Sequence, residues 1–221
     1  YLQGSLERLE DHYPYAPSFA LVFVPFSWLS PVVASIVHTI LHIVAYSILY
    51  VKWGQIFRRL ALTNAVKMLA WALPLWLLFS SFWTDLGYLN IYIIMTLFAT
   101  FFIEAVLSEH LGRSLLWLSI ILQIKPHWTF AVAVPLLLGR RRFFFKLLAL
   151  TAIVYVAITG ITMLVVGPAY GLEQYREYAA FLGRLSRDFP WRGPDKPFLG
   201  YNHSIKQTTV YWFGVSKGTL Q

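Results

Sequence analysis

The chain has 221 residues, 58% of them hydrophobic and 13% charged, with a formal net charge of +8 and a mean hydropathy of +0.60. A soluble domain of this size must keep a largely wetted surface, so a water-soluble fold is excluded and a membrane protein is indicated. The absence of cysteine excludes disulfides, thiolate metal sites and cysteine nucleophiles. The basic residues fall largely between apolar runs, which assigns the positive charge to topology and lipid headgroups rather than to nucleic acid.

Residues 1–16 are polar and charged, and Pro17 to Leu29 is apolar but short, with Pro14, Pro17, Pro25 and Pro31 in or around it; it reads as an interfacial or partly inserted segment. A spanning helix needs roughly 20 apolar residues. The runs at about 32–51, 60–84, 86–108 and 147–167 qualify. Between the last two, Ser114 to Gly139 is interrupted by Lys125-Pro126-His127, and each flanking piece is only about half a span. Pro126 lacks an N–H and disfavours helix at the residue before it, so the segment is either one kinked helix or two half-helices with Lys125 at the turn. Arg140, Arg141, Arg142 and Lys146 form a basic cluster without acids, as do Lys52, Arg58 and Arg59, and such clusters face the cytoplasm. Both are cytoplasmic only if 114–139 enters and comes back, so the reading is a re-entrant hairpin with Lys125 on the outer side.

That topology gives a transmembrane region, 1–167, and an extracytoplasmic tail, 168–221. In the tail, Leu172, Tyr175, Ala179, Leu182 and Leu185 recur at helical spacing among charges, the pattern of an amphipathic helix lying on the membrane surface. The chain opens on Tyr1 rather than Met, and Thr208 to Val215 resembles the entry to another membrane element. The sequence is therefore expected to be a fragment lacking N- and C-terminal parts.

Lys125 is the sharpest chemical feature. A lysine between two apolar half-segments is costly unless it meets water, a carboxylate or a bound anion such as phosphate; the plain alternative is an interfacial turn reaching headgroups. His127, two residues on, could donate to phosphate or sugar, or be structural. Tyr201-Asn202-His203-Ser204 gathers the directional donors and acceptors that sugar recognition needs, yet by itself suits a polar loop capping a helix. Asn90, beginning an apolar run, could cap that helix or face a cavity. His38 and His42, at i and i+4, have metal-ligand spacing but no evident third ligand, which favours interhelical hydrogen bonding. Lys67 and Glu104 could pair inside the bundle. A general base for an acceptor hydroxyl has to be a carboxylate or histidine. Among the outer carboxylates Glu7, Glu10, Asp11 and Asp85, the pair Asp11-His12 is the weak fallback. No glycine-rich phosphate loop, HExxH, GxSxG or DxD motif occurs.

Four stretches in order carry a resemblance. Tyr13 to Leu21, running on to Pro25 and Leu29-Ser30-Pro31, resembles the tyrosine-proline opening of glycosyltransferase family 87. Leu86 to Asn90 resembles its glycine-containing helix start, and Ile120 to Pro135, carrying Lys125-Pro126-His127 and followed by three arginines, resembles its lysine-proline segment. Gly200 to Ser204 resembles its tail motif. The second proline of the opening is displaced to Pro17, Tyr88 stands for the usual glutamine, and His203 stands where glutamine is commoner.

The resemblance implies an all-α, GT-C type helical bundle in the cell membrane, with its active site on the extracytoplasmic side. It implies an inverting hexosyltransferase, with mannose the expected sugar, moving from a polyprenyl-phosphate carrier to a lipid or glycan acceptor and needing no cofactor. Carried over residue by residue, Lys125 would contact the lipid phosphate with His127 beside it. Tyr201, Asn202, His203 and Ser204 would line the sugar or acceptor region, and Asn90 the cavity wall. The family's catalytic carboxylate precedes the position of Tyr1, so the base is expected outside this chain. Two rivals remain at this level: a secondary transporter, since broken helices with a charge at the break are also a transporter feature, and a non-catalytic membrane scaffold.

Overall fold

The computed structural model describes residues 16–87 and 90–188, the side chains of 127 and 184–188 excepted. Those residues form helices and no strand. In chain order these are α1 (Pro17–Val22), a 3₁₀ helix (Val24–Trp28), α2 (Pro31–Arg59), α3 (Thr63–Trp71), α4 (Leu73–Leu77), α5 (Ser80–Gly87), α6 (Tyr92–Leu107), α7 (Leu111–Ile124), a second 3₁₀ helix (Pro126–Ala133), α8 (Val134–Leu137), α9 (Arg141–Val166) and α10 (Pro168–Asp188).

Among the described residues two helices, α2 and α9, are long and apolar enough to cross a membrane, and the bent run from α3 to α5 makes a third if it is one span, by length and composition. α2 starts where Pro31 occupies the first turn and the Ser30 hydroxyl accepts from the Val33 N–H at 3.4 Å, the ordinary entry signal for a helix. It ends on Arg58 and Arg59, cations that suit the negative end of the helix dipole. Much of the apolar surface faces outward; Trp71 is 86% and Leu137 84% exposed. In water that exposure would drive aggregation, and lipid is the solvent that tolerates it.

The run expected at 60–84 is a broken helix, bent by 57° between α3 and the stretch from Leu73 to Gly87. Pro74 stands at the break and removes one N–H from the ladder. The carbonyls loosened around the bend find side-chain donors. Tyr50 Oη donates to the Leu69 carbonyl at 3.1 Å, Tyr46 Oη to that of Trp76 at 2.5 Å, and Trp83 Nε1 to that of Leu77 at 3.1 Å. Tyr46 also stacks on Trp76 and Phe82, with ring centroids 4.8 and 4.2 Å away, so α2 grips the bent segment by both ring faces and hydroxyls. The run expected at 86–108 is likewise divided, with α5 ending at Gly87 and α6 opening at Tyr92.

α6 is the central post. One face packs with α2 and α5 around Tyr46, Leu49, Phe82, Ile93 and Leu97. The other packs with α1, α7 and α9 around Met95, Phe102, Val106, Leu118 and Leu147. At its C-terminal end, Glu104 forms a bidentate ion pair with Lys52 at 3.0 and 3.1 Å. The pairing of Glu104 with Lys67 is thereby corrected: Lys67 is exposed on α3, while Lys52, exactly where α2 passes the last turns of α6, reaches the carboxylate. From this same end the chain leaves into α7 and returns after α8. Gly139, at φ +73°, turns the backbone where a side chain would be strained. Arg140 then bonds the Val106 carbonyl and pairs with Glu109 at 3.2 Å. Residues 111–139 thus start and finish at one end of α6.

α10 begins at Pro168 after Gly167, whose φ is +97°. Tyr178 and Phe181 are its buried side chains, while Leu172 and Ala179 of the expected apolar stripe are exposed.

The Tyr46 hydroxyl has a testable role. Tyr46→Phe keeps the stacking and removes the hydroxyl donor from the Trp76 carbonyl, which retains the Phe79 N–H at 3.3 Å, so a loss of about 0.5–1.5 kcal/mol is expected. Thermal unfolding in detergent should show a midpoint several degrees lower; an unchanged midpoint would refute the brace.

Candidate functional site

Lys125 sits where α7 stops. The residue before a proline is pushed out of helical geometry, and Lys125 adopts φ −137° and ψ 90° between α7 and the second 3₁₀ helix. Its N–H still reaches the Ile121 carbonyl at 2.8 Å, its carbonyl accepts from the Trp128 N–H at 3.0 Å, and the Thr129 hydroxyl bonds the Pro126 carbonyl. The break is therefore rigidly made. The side chain is 5% exposed, and Nζ lies 3.9 Å from the centre of the Tyr92 ring. An ammonium over an aromatic face is stabilised by roughly 0.5–2 kcal/mol.

Tyr92 opens α6, so Lys125 lies at the end of α6 opposite the Lys52–Glu104 and Arg140–Glu109 pairs. Asn90 is at the Lys125 end as well. Its N–H donates to the Asp85 carbonyl at 2.9 Å, and its own carbonyl accepts from His38 Nε2 at 3.0 Å.

A groove of about 580 Å³ runs along α7 and stops at Gln123 and Ile124, one residue from Lys125. Leu115 and Ser119 line its floor, Phe19 and Val22 of α1 one wall, and Val154 and Ile158 of α9 the other. The lining is almost wholly apolar. At its end α1 is tied down: the Ala16 N–H donates to the Ile124 carbonyl at 3.3 Å, and the buried Ser18 hydroxyl donates to Gln123 Oε1 at 2.6 Å. Gln123 Nε2 in turn donates to the Tyr155 carbonyl of α9 at 3.4 Å. One buried amide thereby joins three helices beside the lysine.

Of the residues expected to form a site, Lys125 and Asn90 come to the same end of the bundle. The backbone of His127 lies in the second 3₁₀ helix, and its side chain lies outside the described residues. Asp11, Tyr201, Asn202, His203 and Ser204 also lie outside them. His38 and His42 stack with centroids 3.9 Å apart, and each ring turns a nitrogen to a backbone carbonyl. Sequence reasoning missed three partners. Tyr92 carries no polar pattern that separates it from a core aromatic. Gln123 was signalled only by being an amide within an apolar run. Asp85 was read as one outer carboxylate among four, whereas it is 4% exposed and faces His42.

An all-helical membrane bundle with a cation held at a helix break beside an apolar groove is the setting in which the comparison with known proteins falls. The model of Glycosyltransferase family 87 matches residues 13–204, and the chain belongs to that family. It is a membrane glycosyltransferase, acting between a sugar donor and an acceptor. No curated protein and no solved structure matches it.

Gln123→Leu withdraws the acceptor from the Ser18 hydroxyl and the donor from the Tyr155 carbonyl. A stability loss of about 1–3 kcal/mol is expected, with Ser18→Ala losing part of it. Melting of the two single variants and the double variant should be sub-additive; strict additivity would show that Ser18 and Gln123 act separately.

Proposed function

We propose that this glycosyltransferase moves a hexose, mannose in the first instance, from a polyprenyl-phosphate carrier to a lipid or glycan acceptor at the extracytoplasmic face of the cell membrane. The observation that carries this reading is the buried Lys125, the next residue along the chain from Ile124, where the apolar groove ends. A polyprenyl phosphate is a long hydrocarbon ending in an anion, and the groove and the ammonium offer the two matching chemistries in that order. The orientation is supported by charge: Arg58, Arg59, Arg141, Arg142 and Lys146 are exposed near the helix ends remote from Lys125, and an excess of basic residues marks the cytoplasmic side. On this reading 114–139 is a re-entrant hairpin with Lys125 at its outer tip, and 168–221 is an extracytoplasmic tail.

The reaction proposed is a single inverting displacement. The acceptor hydroxyl oxygen attacks the anomeric carbon from the face opposite the phosphate. Its proton passes to a carboxylate base, and the bond from the anomeric carbon to the phosphate oxygen breaks with both electrons going to that oxygen. The ammonium of Lys125 stabilises the charge that grows there, and such preorganised charge is worth most in a site without water. His127 beside it adds a donor to phosphate or sugar. Tyr201, Asn202, His203 and Ser204 supply hydroxyl, amide and imidazole groups for the sugar or acceptor, and Asn90 shapes the wall between α5 and α6. Asp11 is the fallback for the base.

Transfer from labelled polyprenyl-phosphate-mannose by the full-length protein in membranes tests this directly. Lys125→Ala, at matched expression, is expected to lower the rate roughly a hundredfold or more. Equal rates would remove Lys125 from the site, and no transfer by wild type from this or related lipid-linked sugars would remove the proposed donor.

A further inference from the structure

The end of α6 that carries Tyr92 and Asn90 is held by a buried pair to which the proposed reaction gives no part. His42, on α2, has no exposed surface, and Asp85, on α5, is 4% exposed. His42 Nε2 lies 3.5 Å from Asp85 Oδ2. The same oxygen accepts from the Ile93 N–H at 2.9 Å, so Asp85 caps the first turn of α6 from eight residues upstream, at a helix start whose own N-cap residue, Ile91, has no capping side chain. The Asp85 backbone carbonyl also accepts from the Asn90 N–H. His38, stacked on His42, donates to the Asn90 carbonyl.

The protons of His42 can be counted. Nδ1 lies 3.0 Å from the His38 carbonyl, and a carbonyl only accepts, so Nδ1 carries a hydrogen. In a neutral imidazole Nε2 would then be a bare lone pair facing a carboxylate, which repels. One further proton, on Nε2, turns the 3.5 Å contact with Asp85 into an attraction. The pair is then neutral as a whole, the form in which two ionisable groups withstand full burial.

We infer that Asp85 and His42 are positioning residues for sugar transfer: sharing one proton, they fix the first turn of α6 and with it the Tyr92 ring beneath Lys125. The inference rests on the donor-phosphate reading of Lys125. It assigns the pair no contact with sugar or phosphate. Its effect travels from Asp85 Oδ2 through the Ile93 N–H to the adjacent Tyr92, and from the ring to the ammonium. A displacement of about 1 Å at a reacting group can cost roughly a hundredfold in rate.

Asparagine separates this role from others. With its amide oxygen in the place of Oδ2 it still accepts from the Ile93 N–H, so Asp85→Asn keeps the cap on α6 while it removes the carboxylate charge and the shared proton. Leucine removes the cap as well. The test is donor kcat/KM of the full-length protein in membranes, for wild type, Asp85→Asn, Asp85→Leu, Lys125→Ala and the Asp85→Leu/Lys125→Ala double variant, normalised to folded protein by detergent melting. Asp85→Leu is expected to lose roughly ten- to a hundredfold, and Asp85→Asn to recover most of it. The double variant should be no slower than Lys125→Ala within about threefold, since residues acting through one group are not additive.

Full activity of Asp85→Leu overturns the inference, and so does additive loss in the double variant. A loss in Asp85→Asn as deep as in Asp85→Leu makes the carboxylate itself catalytic and also overturns it. If Asp85→Leu does not fold, the Asp85→Asn comparison still decides between positioning and chemistry. Wild-type activity in Lys125→Ala sinks the donor-phosphate reading instead, a distinct result.

Discussion

A backbone N–H or C=O inside a hydrocarbon phase has no water to turn to and must find its partner within the protein. Unbroken helices meet that demand by themselves; three of the breaks among the described residues are answered with side chains or neighbouring backbone. At the bend before Pro74, hydroxyls of Tyr46 and Tyr50 and the indole of Trp83 take up carbonyls of Trp76, Leu69 and Leu77. Between α5 and α6, the Asp85 carboxylate takes the Ile93 N–H and the His38 ring the Asn90 carbonyl. At Lys125, the Ala16 N–H takes the Ile124 carbonyl and Thr129 that of Pro126. The polar residues scattered through apolar helices are, in large part, these answers.

The breaks matter because they are where chemistry can be placed. A continuous transmembrane helix presents side chains only, at fixed spacing. The stop at Lys125 leaves a buried ammonium seated on the Tyr92 ring, near the Gln123 amide that joins α1, α7 and α9. The groove follows α7 from Gly112 to Ile124, a helix of 14 residues that reaches about 21 Å at 1.5 Å per residue.

The two ends of α6 are electrostatically unlike. One carries ion pairs with partners partly open to solvent, Lys52 with Glu104 and Arg140 with Glu109, and continues into a run of exposed arginines. The other carries buried ionisable groups: a lysine on an aromatic ring and a histidine facing an aspartate. Pairs at an exposed end contribute little to stability, whereas each buried group is costly to leave without its partner. The buried end is therefore where substitutions are felt, and it is the end that the proposed reaction uses.

The sequence by itself determined that this is a helical membrane protein, because composition alone leaves no way to wet so much apolar surface. Four short motifs, in order, sufficed to name its family. It also singled out Lys125, since a charge next to proline between two half-spans stands out along a single dimension. What it could not supply were the partners. Glu104 finds Lys52 on another helix rather than Lys67, His38 stacks on His42 and reaches the Asn90 carbonyl, and Asp85, indistinguishable in sequence from a solvated acid, is buried against His42. These pairings depend on which helix faces bring residues some fifty positions apart to within about 3–4 Å, and periodicity tells which residues share a face but not which face they meet. Only tertiary packing decided that the post is α6, that its two ends differ, and that a tyrosine lies under the lysine.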